Sequence, residues 1–286
     1  MKYPKPLAEK TIQRMYDEIG LSQSRFLCLL IFFNCCAQLY GAAPLWELWN
    51  VYKELGNRVM KVRKKDFLQF ASVARRDANC GFQVWEAGEL FRDVQGTEED
   101  RFVTYHGLID GSKQSLGMFN QLYYLQGDLN PCVPDNFLTY YSLKLTKEME
   151  QFQNYLAGLY STSSVLKVDG KEVPNPYMGL KLTEFVNEYI SDGEDDDDED
   201  ASEARNIFSV SWFMCNIGVP ALYDFLVSVL EAAGVDMTAQ EKKRLSRHIS
   251  QMRKTGRLWC QYGWRSDELK AMNGPTDASD PEDEED

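Results

Sequence analysis

From Phe26 to Phe33 every position is apolar, and after Asn34 the pattern resumes at Cys35, Cys36, Ala37 and Leu39. A helix that is apolar on nearly all sides needs other helices around it. Phe26 to Tyr40 is therefore read as a core helix on which the rest of the chain is assembled. Ser22 offers a hydroxyl N-cap ahead of it, and Gly41 stops it. A membrane-spanning helix needs about 20 mostly apolar residues, whereas Ser24 and Arg25 close one end here and Asn34 and Gln38 interrupt the other. Residues 7–20 read as a separate amphipathic helix, with Leu7, Ile12, Met15, Tyr16 and Ile19 inward, rather than as an export signal.

Beyond Gly41 the period stays helical. Leu45, Leu48, Trp49, Tyr52 and Leu55 recur at three and four over 44–55, with Pro44 suited to a first helical position. Residues 64–76 follow, with Phe67, Phe70, Ala71 and Ala74 inward and Lys64, Lys65, Arg75 and Arg76 outward. Residues 82–91 alternate briefly around Gly88, as a two-strand wing or one strand leading into a helix. A middle block carries helices over 112–126, with Leu116, Phe119, Leu122, Tyr123 and Tyr124 as its apolar positions, and over 146–160. The rigid NPCVPDNF loop lies between them. Asp169-Gly170 between alternating apolar residues predicts a hairpin over 165–173, and 180–190 is helical again. Residues 207–233 break into two helices at Gly218 and Pro220. Thr238 caps a helix to about 255, whose outer face carries Lys242, Lys243, Arg244, Arg247, Arg253 and Lys254.

The fold class that follows is mainly α: a multi-helix bundle with a winged-helix-like N-terminal unit and one or two small β-hairpins. The expected organisation is an N-terminal unit over 1–92, a middle block over 101–190, an acidic linker or loop over 191–204, a C-terminal helical block over 205–272, and an acidic tail over 273–286 expected to be disordered.

Charge refines this picture. The chain of 286 residues carries a net charge of −13, but nine acids fall within 192–203 and seven within 277–286; without those sixteen, 28 acids face 31 bases. The acidity belongs to two segments that cannot fold on themselves, since like charges repel and little apolar area is present. Seven cysteines, an odd and scattered set, predict free thiols and a reducing cytoplasm rather than a disulfide framework.

The segments YGAAPLWELWNVYKEL, QGDLNPCVPDNF and the closing RLWCQYGWRSDEL resemble an uncharacterised family of helical bacterial proteins, some members of which end in a SEC-C-type zinc-binding module. The likeness runs from roughly residue 20 to 270, by diffuse motifs. No CxC or CxxC cluster follows residue 260, so the module is absent and no zinc is carried over.

The chemistry visible in the residues is sparse. His106 and His248 are far apart and are not paired with cysteines at ligand spacing. Cys35 and Cys36 diverge by about 100° on a helix, which favours packing over metal binding. No GxSxG, Walker-type loop or HExxH occurs. Cys132, with His106 upstream, is a conceivable Cys/His pair but reads better as a loop or core cysteine. No cofactor and no metal is expected.

Two groups of residues stand out. Arg63, Lys64, Lys65, Gln69, Arg75 and Arg76 crowd the helix that in a winged unit enters the major groove; a solvated helix face is the simpler account, and overall charge disfavours duplex binding. Arg257, Trp259, Tyr262, Trp264 and Arg265 have the composition of an interface hot spot, and equally of a clasp stapling the C-terminus to the body. The expectation is a non-enzymatic cytoplasmic binding or regulatory protein with a protein partner and no membrane. A nucleic-acid binder autoinhibited by its acidic segments comes second, and an undetected hydrolase third.

Overall fold

Ser22 Oγ accepts from the Arg25 N–H at 3.4 Å and opens α2 (Gln23–Tyr40); Gly41, at φ +68°, closes it by donating to the Ala37 carbonyl. The computed structural model describes residues 3–92, 94–142, 146–162, 165–168, 171–174, 211–232, 235 and 237–272. The expected helix over 180–190, the acidic run and the C-terminal tail lie outside these residues. Along α2, Leu29, Phe32, Phe33, Cys35, Cys36, Ala37, Leu39 and Tyr40 are buried. One stripe escapes enclosure, with Leu27 46 % and Ile31 39 % exposed.

The helices around α2 form for the reasons their spacing suggests. α1 (Glu9–Ile19) buries Ile12 and Tyr16 and ends at Gly20, φ +74°. α3 (Leu45–Leu55) buries Leu45, Leu48, Val51, Tyr52 and Leu55. α4 (Lys64–Ala74) buries Phe67, Phe70, Ala71 and Ala74. Phe33 stacks on Phe70 at 5.5 Å, and the Phe32 ring packs on Phe137 at 5.7 Å, so aromatic residues of three separate segments meet in one core.

A strand unforeseen from the sequence, β1 (Ala42–Pro44), sits between α2 and α3. β2 (Phe82–Trp85) is followed by the single turn α5 (Ala87–Leu90), so this stretch is one strand leading into a helix, not two strands folded on themselves. Its partner is β3 (Phe102–Tyr105), which lies at the centre of an antiparallel sheet of order β1-β3-β2. Thr104 faces Ala42 on one side and Gln83 on the other. The sheet therefore crosses the boundary expected at 92, because its central strand comes from residues assigned to the middle block.

A second core gathers α6 (Lys113–Gln126), α7 (Lys147–Thr162), the helical residues 211–216, α8 (Leu222–Ala232) and α9 (Ala239–Thr255). In α6, Phe119 and Leu122 are buried as expected, but Tyr123 and Tyr124 are 44 % and 84 % exposed. α9 opens with a reciprocal cap, Thr238 Oγ1 accepting from the Glu241 N–H and the Glu241 carboxylate accepting from the Thr238 N–H. β4 (Val165–Val168) and β5 (Lys171–Pro174) pair as the expected hairpin, Val168 opposite Lys171.

The last described segment ties the two cores together. The Trp259 side chain is fully buried: its Nε1–H donates to the Gln38 carbonyl at 2.8 Å, and its backbone N–H donates to Asn216 Oδ1 at 3.1 Å. Gln126 Nε2 donates both to the Tyr40 carbonyl at 2.7 Å and to the Trp259 carbonyl at 3.0 Å. Three residues on, Tyr262 belongs to the other core and packs edge-on to Tyr40 at 5.2 Å. A short final helix, α10 (Ser266–Met272), follows. Among the described residues no single helix is long and apolar enough to cross a membrane; α1 and α2 reach that length only as a pair bent by 110°.

Gly41 is where the indole presses closest: a Cβ there would lie 2.5 Å from Trp259 Cδ2. Gly20 shares a positive φ but would meet nothing within 4 Å. Gly20→Ala should therefore cost only the left-handed backbone penalty, about 1–2 kcal/mol. Gly41→Ala adds overpacking, for about 2–5 kcal/mol in total. Urea unfolding of the two variants measures the difference, and equal losses would remove Trp259 from the account.

Candidate binding groove

The structure disperses the cations singled out on α4. Arg75 turns inward rather than outward: its guanidinium donates to the Val84 carbonyl at 2.6 Å and to Glu89 at 2.7 Å, lies over the Tyr3 ring, and is only 12 % exposed. Arg63 forks onto Asp66 through bonds of 2.8 and 2.7 Å, and those bonds hold the Asp66 carboxyl below its usual range. Lys64 pairs with Glu99 at 2.5 Å, and Arg76 donates to the Lys5 carbonyl at 2.9 Å. Lys65 and Gln69 remain exposed with no side-chain hydrogen bond among the described residues.

The second group converges. Arg257 grips Glu268 with two bonds of 2.8 Å and donates to the Gly263 carbonyl at 2.9 Å and to Cys132 Sγ at 3.2 Å. Burial works against the Glu268 carboxylate, but the Arg257 bonds outweigh it and hold the group below the usual glutamate range. Arg265 reaches Asp267 at 3.2 Å and Glu268 at 3.4 Å. Tyr262, at φ +52°, donates its hydroxyl to the Glu47 carboxylate on α3. The half-buried Trp264 donates to the Asn130 carbonyl at 2.8 Å.

These contacts shape one wall of a groove of about 750 Å³ between α3, the loop 130–136 and the C-terminal segment. α3 supplies the opposite ridge through Trp46, Asn50 and Glu54, spaced four apart and exposed because α3 turns its other face to the core. The loop is pinned by its backbone. The Cys132 carbonyl accepts from Tyr40 Oη at 2.7 Å, the Cys132 N–H donates to the Tyr262 carbonyl at 3.0 Å, and Arg58 donates to the Pro134 and Asp135 carbonyls at 3.2 and 3.3 Å. Against protein-family models, curated proteins and solved structures the chain has no match.

Four carboxylates line the groove: Glu47, Glu54, Asp135 and Glu268. Only Glu268 has an ion-pair partner among the described residues, and the one lining guanidinium, Arg257, is the group that pairs it. Burial raises the Glu47 pKa, while the Tyr262 hydroxyl bond opposes that rise. Cys132, on the floor, is buried and pushed up to about 11 by that burial, with Arg257 pulling the other way. No hydrogen bond joins it to His106, which is exposed just beyond β3. No group of three or more potential metal ligands occurs among the described residues.

Sequence reasoning marked Arg257, Trp259, Tyr262, Trp264 and Arg265 as a set but missed Trp46, Asn50, Glu54 and Asp135. A signal for the first three existed: polar or aromatic residues at 46, 50 and 54 interleave the apolar face of α3 at helical spacing. Nothing local pointed to Asp135 as their counterpart.

The Arg257–Glu268 pair has a pH signature. Because the folded carboxyl is depressed, its stabilisation is complete above the unfolded glutamate value near 4.3 and is lost as pH falls through the lower folded value. Glu268→Gln should cost about 1–2 kcal/mol at pH 7, between an exposed and a buried pair. The gap from the parent should narrow below pH 4 in acid-series thermal melts; a gap constant from pH 7 to 3 contradicts the pairing.

Proposed function

We propose that this protein is a non-catalytic binding protein that captures a protein partner in the groove between α3, the loop 130–136 and the C-terminal segment. The observation that carries this reading is the presentation of Trp46, 46 % exposed on the outer face of α3, in line with Asn50 and Glu54 and across from a backbone-pinned loop. An exposed tryptophan rimming a rigid groove is the kind of anchor that dominates interface energetics. A buried thiol with its pKa raised lacks the thiolate character nucleophilic catalysis needs, so Cys132 supports packing better than hydrolysis.

The reading is tested by placing the photo-crosslinking residue p-benzoylphenylalanine at position 50 of the full chain and, as a control, at the exposed position Lys10 on α1. Light-dependent protein adducts in extract of the source cells are expected at 50, absent at 10, and lost when Trp46→Ala is added. Equal adducts at both positions overturn the reading.

A second reading rests on topology. The order α2-β1-α3-α4-β2-α5-β3 with sheet order β1-β3-β2 supports a winged-helix-like N-terminal unit with α4 in the place of the helix that enters a DNA groove. The ion pairs of Arg63, Lys64 and Arg75 leave that helix few free cations for phosphate. Under the first reading, deleting 192–203 and 274–286 leaves duplex DNA unbound even at low salt. Binding that weakens at least tenfold between about 50 and 200 mM salt moves the assignment to the second.

A further inference from the structure

The charge and amide pattern of the groove narrows what can occupy it. Glu54 on α3 and Asp135 on the loop both line the groove, are both exposed, and have no ion-pair partner among the described residues. Arg58 donates to the Pro134 and Asp135 carbonyls and remains a cation at the edge of the loop. Arg257 is paired with Glu268 and also donates to the Gly263 carbonyl and Cys132 Sγ. With Arg257 and the adjoining Arg58 counted, four lining carboxylates meet two guanidiniums, so the groove keeps a net negative charge, and the face of its Trp46 indole also attracts cations. An anionic occupant, nucleic acid included, meets like charge on both walls.

The second feature is a set of unspent amides. Asn50, Asn130 and Asn136 line the groove, and none of their side chains is hydrogen-bonded among the described residues. A primary amide presents a donor and an acceptor side by side, which complements the N–H and C=O of an extended peptide backbone. Amides on both walls suit a strand-like segment lying along the groove better than a compact ligand at one end.

Resting on the proposed role of this groove, we infer that it recognises an extended peptide segment of the partner carrying an arginine or lysine. The cationic head is taken by the carboxylates of Glu54 and Asp135, the Trp46 indole about two turns away on α3 packs against another part of the segment, and the backbone is held by the asparagine amides. Arginine fits better than lysine, because its planar guanidinium presents a fork of donors that matches carboxylates.

Three pools of fluorescein-labelled nonapeptides test this on the full chain, with arginine, citrulline or glutamate fixed at the centre and random flanks. Citrulline keeps the shape of arginine and removes its charge. Saturable anisotropy is expected for the arginine pool, with citrulline at least tenfold weaker and glutamate undetectable. Glu54→Gln with Asp135→Asn, conservative changes at two exposed positions, should weaken the arginine pool about tenfold without moving the melting temperature. Equal binding of the citrulline pool overturns the cationic assignment. Spermidine binding as tight as the arginine pool overturns the peptide assignment. If no pool binds while the residue-50 crosslinker still captures protein through Trp46, this inference fails and the groove reading stands; if neither occurs, both fail.

Discussion

The structure depends on one close approach, the buried indole of Trp259 laid against the backbone of Gly41. α2 must end there, β1 must begin one residue later, and the second core must reach the first across the same point. Only a residue without a Cβ lets the ring in. Gln126 then fixes the approach by bonding the Tyr40 and Trp259 carbonyls with one amide nitrogen. Buried backbone acceptors need partners, so the same bonds that bring the cores together also satisfy the end of α2.

The groove is a by-product of this closure. Once Trp259 is seated, Tyr262 must pass over Tyr40 toward Glu47, Arg257 must turn to Glu268, and the loop 130–136 is held between them. The backbone of that loop is spent on the interior, which leaves its side chains Asn130, Asp135 and Asn136 facing outward. Preorganisation of this kind reduces the ordering cost of binding. It is the physical basis for proposing recognition at this face rather than at α4, where Arg63, Lys64, Arg75 and Arg76 are tied to carboxylates and carbonyls.

Internal electrostatics account for why α4 looked more available in the sequence. Arg75 follows the apolar stripe and would be solvated on an isolated helix. In the fold, α5 brings Glu89 within 2.7 Å and β2 offers the Val84 carbonyl, so the guanidinium is drawn in. The α2 stripe shows the converse: Leu27 and Ile31 lie in an unbroken apolar run, yet no described element covers them fully. Composition sets how much of a helix prefers to be buried, and neighbours determine how much is.

Local chemistry alone determined the helices, their caps and their stops. Ser22 and Thr238 carry hydroxyls where exposed N–H groups need them, Gly20 and Gly41 adopt conformations that a Cβ penalises, and the spacing of Phe67, Phe70, Ala71 and Ala74 leaves one face to bury. Two things were decided only by tertiary structure. β1 is three residues long, too short for any alternation to show, and exists because β3, sixty residues later, offers it an edge. The groove joins residues 46–54, 130–136 and 257–272, whose proximity comes from the packing of Trp259 on Gly41, an event no window of the sequence contains.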